Sequence, residues 1–159
     1  MMIFMADSSE FESICPYNDA EAVEALNKVA NHPAVLAISE YLFPDEPITY
    51  LRNALKGVHS IDEFQEIVMN KAVTWVMDNT IHNFSYDGIS YIKELKGKFL
   101  AMSNHRDIIL DPAITQLVLF RNGIPMTEIC VGDNLIKQSK TVEYLLRSNR
   151  MIRVIRGIS

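Results

Sequence analysis

The spacing of apolar residues divides the chain into a helical first half and a second half in which strands alternate with helices. Up to about residue 80, apolar side chains recur every three or four positions, which is typical of amphipathic helices. In the longest such pattern, Ser60 and Glu63 have the spacing of a capping box, and a helix is predicted to run to about Asn79 and to carry Trp75 into the core. Shorter patterns predict helices over residues 20–30, 33–42 and 47–55.

The period changes after His82. Residues 83–88 alternate like a strand, and residues 98–103 form a short apolar run typical of a buried strand. Farther along, the pattern predicts a helix from Asp111 or Pro112 to Phe120, followed by a strand over 127–131, a helix over 141–148 and a strand over 151–155. This alternation predicts an α/β fold: a helical subdomain over residues 1–82, then a partial parallel or mostly parallel sheet with flanking helices over residues 83–159.

Composition narrows the class of protein. The chain has 159 residues, of which 48% are apolar and 22% are charged, as expected for a globular domain. Its formal net charge of −5 argues against a nucleic-acid binder. The apolar N-terminus lacks the basic region of a signal peptide, and no apolar run approaches the ~18 residues that span a bilayer. Cys15 and Cys130 lie far apart in apolar surroundings, which predicts buried free thiols in a reducing compartment.

Charge is distributed unevenly. Residues 1–100 carry 15 acidic and 7 basic side chains, whereas residues 101–159 carry 5 acidic and 8 basic ones. Two interpretations of the late basic residues stay open: a solvated helix face followed by a strand, or an anion site for a phosphate or a phospholipid headgroup. The residues concerned are Lys137, Lys140, Arg147, Arg150, Arg153 and Arg156.

The candidate chemistry lies between residues 102 and 112. His105 comes just after the strand predicted over 98–103, at the carboxyl end where parallel sheets place functional groups. Asp111, at the start of the next helix, is spaced to fold back and orient this imidazole as a general base. The alternative for Asp111 is a helix cap. A metal site from His105, Asp107 and Asp111 would support a hydrolase instead, but with a single histidine in the cluster no bound metal is expected.

The stretch Ser-Asn-His105-Arg-Asp-Ile-Ile-Leu-Asp111 resembles the first motif of the glycerolipid acyltransferases, the family of lysophosphatidic acid and glycerol-3-phosphate acyltransferases. The five-residue spacer matches the bacterial hemolysin-like branch. The resemblance implies that His105 is the general base on the acceptor hydroxyl and that Asp111 orients it. Asn104 and Arg106, beside the base, are predicted to bind substrate.

Residues 128–137, 142–147 and 152–156 are similar to the second motif of that family, whose terminal arginine helps to hold the acceptor phosphate. The resemblance assigns that role to Arg156, assisted by Arg153. Residues 11–19 resemble the opening of bacterial members with a helical N-terminal extension. The family's third motif, a Phe-Pro-Glu-Gly type of loop, does not occur in the 159 residues. We therefore expect the N-terminal portion of an acyltransferase, truncated and inactive by itself.

The resemblance implies acyl transfer from a thioester on coenzyme A or acyl carrier protein to a lysophospholipid or glycerol phosphate, without a cofactor. It further implies a cytoplasmic protein in peripheral contact with lipid at the inner face of the membrane. No nucleic-acid partner is expected. Strand edges left without neighbours predict a homo-oligomer. The competing interpretation is a non-catalytic module that docks on a membrane or a partner.

Overall fold

The computed structural model describes residues 12–104 and 106–155. Contacts divide the chain into two compact units: unit 1 comprises residues 1–71 and 128–159, and unit 2 comprises residues 72–127. This division differs from the boundary predicted at residue 82. Its physical reason is that a helix near the C-terminus, Lys140–Ser148, packs against the first long helix, Asp19–Ala30.

The structure is rich in helix and contains a small parallel sheet. A π-helical stretch, Gln65–Met69, joins two helices into one continuous helix from residue 61 to residue 80. The helices that lie wholly within the described residues are α1 Asp19–Ala30, α2 Ala34–Leu42, α3 Tyr50–Gly57, α4 Ile61–Phe64, α5 Asn70–Thr80, α6 Ile89–Glu94, α7 Leu110–Arg121, α8 Asp133–Ile136 and α9 Lys140–Ser148, and the strands there are β1 Ile129–Gly132 and β2 Met151–Val154.

Helix α1 lies at the centre of unit 1. It begins with a capping box, in which Asn18 Oδ1 accepts the N–H of Glu21 at 3.0 Å and Glu21 Oε2 accepts the N–H of Asn18 at 2.9 Å. Small and apolar residues follow on one face, and Leu26 is fully buried there. Because α3 and α9 both pack on α1, residues from opposite ends of the sequence share this core.

The two described strands pair in parallel, with Ile129 opposite Met151 and Gly132 opposite Val154. Helices α8 and α9 form the crossover between them, and Ser139 caps α9 by accepting the N–H of Val142 at 3.2 Å. The predicted strand–helix–strand order of the last thirty residues is thereby confirmed. The coarse α/β class follows from this βαβ arrangement.

The turn between α9 and β2 is attached to the π-helical stretch by polar contacts. Gln65 is 2% exposed; its Nε2 donates to Asn149 Oδ1 at 3.0 Å, and its Oε1 accepts from Arg150 Nε at 3.1 Å. Arg150 also donates to Asp62 Oδ1 at 2.5 Å. Arg150 has φ +58°, a left-handed conformation that a non-glycine residue keeps only when its surroundings hold it there.

Unit 2 contains most of α5, together with α6 and α7. Helix α7 confirms the predicted helix and buries Leu117, Val118 and Leu119. The strands predicted over 83–88 and 98–103 were wrong: the described residues in both ranges have no strand partner. An extended segment becomes a strand only when a neighbouring strand pairs with it, which apolar alternation alone cannot specify. Trp75 is half-buried, short of its predicted place in the core.

Two further predictions concern the burial of the two cysteines and the length of the apolar helices. Cys130 is exposed and Cys15 is half-buried, so the prediction of two buried thiols was wrong. Cys130 lies on a two-stranded sheet, where few neighbours are available to cover it. Among residues 12–104 and 106–155, no helix combines the length and the apolar character needed to cross a bilayer.

Candidate functional site

The turn before α7 is organised by Asp107. Its Oδ1 accepts the N–H groups of Ile109 and Leu110, each at 2.8 Å. Leu110 is the first residue of α7 and Ile109 precedes it, so no carbonyl of the helix itself is available to these amides. The hydrogen bonds from Leu110 and Ile109 stabilise the charged carboxylate and lower the pKa of Asp107 below its ordinary value. Asp107 therefore caps the turn that leads into α7, a role similar to the helix cap that the sequence had left open for Asp111.

Asp111 is the second residue of α7 and folds back along the turn. Its Oδ2 accepts the backbone N–H of Arg106 at 2.6 Å and that of Asp107 at 3.1 Å. Both amides donate to the same oxygen, and within the described part of the chain no group donates to Oδ1. The carboxylate is thus held by hydrogen bonds to the two residues that follow position 105, with one oxygen still able to accept a hydrogen bond.

The other predicted site residues of this stretch differ from Asp111 in their exposure and contacts. Asn104 and Arg106 are exposed, and Arg106 contributes its backbone amide to the turn rather than a side-chain contact with any described residue. His105, the predicted base, lies outside the described residues. The structure therefore brings Arg106, Asp107 and Asp111 together in unit 2. It does not describe where the imidazole of His105 lies relative to them.

In unit 1, Arg153 lies at a shallow cavity of about 270 Å³. Its Nε donates to Asp133 Oδ1, and its guanidinium also reaches the carbonyl of Ser13 at 3.4 Å. Lys137 forms an ion pair with the same carboxylate, at 2.9 Å. The predicted phosphate ligand Arg156 lies outside the described residues. The lining residues are Ile136, Lys137, Ser139, Lys140, Glu143 and Arg153.

The cationic side chains around this cavity are already paired in part with carboxylates. The hydrogen bond from Lys137, aided by the hydrogen bond and charge of Arg153, lowers the pKa of Asp133 despite an opposing loss of hydration. Burial raises the pKa of Glu143, but the hydrogen bond and charge of Lys140 and the charge of Arg147 outweigh it, so the net shift is downward. Both carboxylates are thus ionised at neutral pH. An anion entering the cavity would meet three cationic side chains and would compete with Asp133 and Glu143 for them.

Lys137 and Lys140 belong to the late basic residues for which an anion site was one of two open interpretations, and the family resemblance gave neither of them a role. Asp133 was missed altogether. A carboxylate four residues before Lys137 is the sequence signal for their ion pair, since positions i and i+4 adjoin on a helix. The partnership of Asp133 with Arg153 has no such local signal, because the two residues come together only when β1 and β2 pair.

Residues 12–104 and 106–155 contain no cluster of three histidine, cysteine or acidic side chains positioned to hold a metal ion. In comparisons with known proteins, no protein-family model, no curated protein and no solved structure matches this chain.

Proposed function

We propose that the chain forms part of a glycerolipid acyltransferase, which transfers a fatty acyl group from a thioester to the hydroxyl of a lysophospholipid or glycerol phosphate. The observation that supports this best is the fixed carboxylate of Asp111. A general base works well when a rigid anion selects its tautomer and stabilises its protonated form. Asp111 Oδ2 is held by two backbone amides, while Oδ1 receives no hydrogen bond from the described residues.

In the proposed reaction His105 accepts the proton of the acceptor hydroxyl as its oxygen attacks the thioester carbonyl. The carbon–sulfur bond then breaks, and the departing thiolate takes the proton back from the imidazolium. An ester and a free thiol result, with no covalent enzyme intermediate and no cofactor. The Asp111 carboxylate stabilises the imidazolium while the proton resides there.

Binding of the acceptor phosphate is proposed for Arg156 and Arg153, and Asn104 and Arg106 are proposed to contact substrate beside the base. The support for Arg153 is its place at the cavity together with Lys137 and Lys140. Because Arg153 is paired with Asp133, a phosphate must displace or share that carboxylate. The protein is proposed to work in the cytoplasm, in peripheral contact with the inner face of the membrane.

The test is thiol release from acyl-coenzyme A and acyl carrier protein thioesters in the presence of lysophosphatidic acid or glycerol 3-phosphate. It is run on this chain and on any longer protein that carries it. We expect His105→Ala to lower the rate by ~10²–10⁴-fold. Asp111→Asn preserves an oxygen acceptor for the turn but removes the charge, so it should lower kcat with little change in KM.

Asp78→Asn is the matched control, because it removes an exposed carboxylate from the same unit and lies outside the turn. Its rate should equal that of the unaltered protein. An active protein whose rate survives His105→Ala would contradict the proposed base. Failure of every form to release thiol would contradict the proposed function itself.

A further inference from the structure

Unit 2 exposes large apolar side chains along one continuous segment, residues 93–109, of which all but position 105 are described. Leu100 and Met102 are 83% and 86% exposed, and Ile109 is 71% exposed. Leu95 and Ile108 are also more than half exposed. Contiguous exposed apolar side chains of this size are uncommon on a protein that works alone in water, and they mark surfaces that bind something.

Basic residues punctuate the same segment. Lys93, Lys96, Lys98 and Arg106 are all exposed, and none forms an ion pair with another described residue. The acidic residues of the segment are Glu94 and Asp107, and the carboxylate of Asp107 is engaged by backbone amides. The segment is therefore locally basic in a chain whose formal net charge is −5.

The backbone of this segment adds a third property. Residues 95–104 contain no helix or strand, so an occupant can rearrange them at little cost in lost secondary structure. Apolar side chains alternating with basic ones suit a boundary between water and hydrocarbon. Lysine and arginine extend their charged ends toward headgroups while the apolar side chains enter the acyl layer. Anionic headgroups complement the excess of cations.

We propose that segment 93–109 docks on an anionic lipid surface and inserts Leu100 and Met102 into it. This deepens the proposed function and rests on it in one respect: the lipid surface would supply the acceptor to the residues beside Asp111. The docking itself requires no catalysis. It brings Arg106 and Asp107, the described residues beside Asp111, to the membrane plane, where a lysophospholipid hydroxyl is found.

The test is co-sedimentation of the purified chain with phosphatidylcholine vesicles and with vesicles that also contain phosphatidylglycerol. We expect binding to the anionic vesicles that weakens as salt rises. Leu100→Ser with Met102→Ser should weaken it by roughly tenfold or more per side chain, from the lost apolar transfer. Lys96→Gln should weaken binding to the anionic vesicles about fivefold, since each cation near such a surface contributes on that scale.

Matched controls come from unit 1. Ile38→Ser with Ile48→Ser removes two apolar side chains that are 41% and 50% exposed, and Lys56→Gln removes an exposed cation. Both should leave vesicle binding unchanged. In addition, a tryptophan introduced by Leu100→Trp should be quenched by brominated acyl chains in the vesicles.

Several results would overturn the proposal: no binding to anionic vesicles, equal effects of the unit 1 controls, or an unquenched Leu100→Trp. A different outcome is that the chain does not bind vesicles but self-associates, and that Leu100→Ser with Met102→Ser abolishes this self-association. The segment would then be an interface with a second copy of the chain. Vesicle binding retained by a turnover-deficient His105→Ala protein supports docking and the proposed base independently. Docking without turnover in any form would leave docking standing and remove the proposed function.

Discussion

Units 1 and 2 contain similar fractions of apolar residues but bury them in different ways. In unit 1, Leu26, Phe64 and Ile136 come from distant parts of the chain, and each is at most 1% exposed. In unit 2 the fully buried apolar residues lie on helices, whereas Leu100 and Met102 lie in an extended segment and face solvent. An apolar side chain is therefore buried only where a second element of the fold packs over it.

The polar contacts of the two units differ in the same way. Unit 1 joins Gln65 to Asn149 and Arg150 across more than eighty positions of sequence. The candidate site of unit 2 is held by carboxylates that accept amides no more than five residues away. Unit 1 is therefore expected to gain stability from long-range packing, and the turn before α7 from local hydrogen bonds.

The largest expected effect comes from the same substitution made in each unit. Leu26→Ala should lower the free energy of unfolding by about 2–5 kcal/mol, because it removes buried methyl groups and leaves a cavity. Leu100→Ala should change it by no more than about 0.5 kcal/mol, since the side chain is already in water. Urea unfolding followed by circular dichroism measures both. Equal losses would show that Leu100 is covered in solution.

A smaller effect is expected at the polar attachment in unit 1. Gln65→Ala leaves Asn149 and Arg150 without their buried partner and should cost about 1–3 kcal/mol of unfolding free energy. Gln138→Ala, at an exposed position, is the matched control and should be neutral. If thermal unfolding of the two variants is indistinguishable, the long-range network contributes nothing to unit 1.

The smallest effect concerns pH at the cap of unit 2. Since the pKa of Asp107 is lower in the folded chain, the cap contributes stability above about pH 4, near the ordinary aspartate value, and loses it as pH falls through the folded pKa. Amide protons of Ile109 and Leu110 should shift with the same midpoint in an NMR titration. Asp107→Asn should abolish that titration while leaving the shifts at neutral pH similar. A midpoint at or above the ordinary aspartate value would contradict the cap.

Much of the fold was predictable because its signals are local. The helix over residues 20–30, the helix that follows Ser60, and the strand–helix–strand order at the C-terminus all follow from short-range pattern and are confirmed. The π-helical stretch at Gln65 was not predictable, because the contacts of Gln65 lie on the far side of the sequence. Helix α6, which starts after Gly88 at φ +80°, was missed because it is only six residues long.

The candidate site was predictable in its residue types and less so in their roles. Spacing indicated that Asp111 folds back, and its hydrogen bonds to the turn agree with that part of the prediction. Spacing did not show which of Asp107 and Asp111 accepts the amides of Ile109 and Leu110, because both carboxylates are near the start of α7. Arg153 was predicted to help hold a phosphate, but its pairing with Asp133 depends on strand register and was not predicted.

By itself the sequence determined where helices begin, which faces of them are apolar, and where charged residues concentrate, since each depends on neighbours within a few positions. Tertiary structure decided which apolar segments are covered by a second element and which arginine is already paired with a carboxylate. These outcomes depend on contacts between elements that are distant in the sequence. The apolar run over residues 98–103 is the clearest example. Its composition favours a strand, but in the described chain no strand lies beside it.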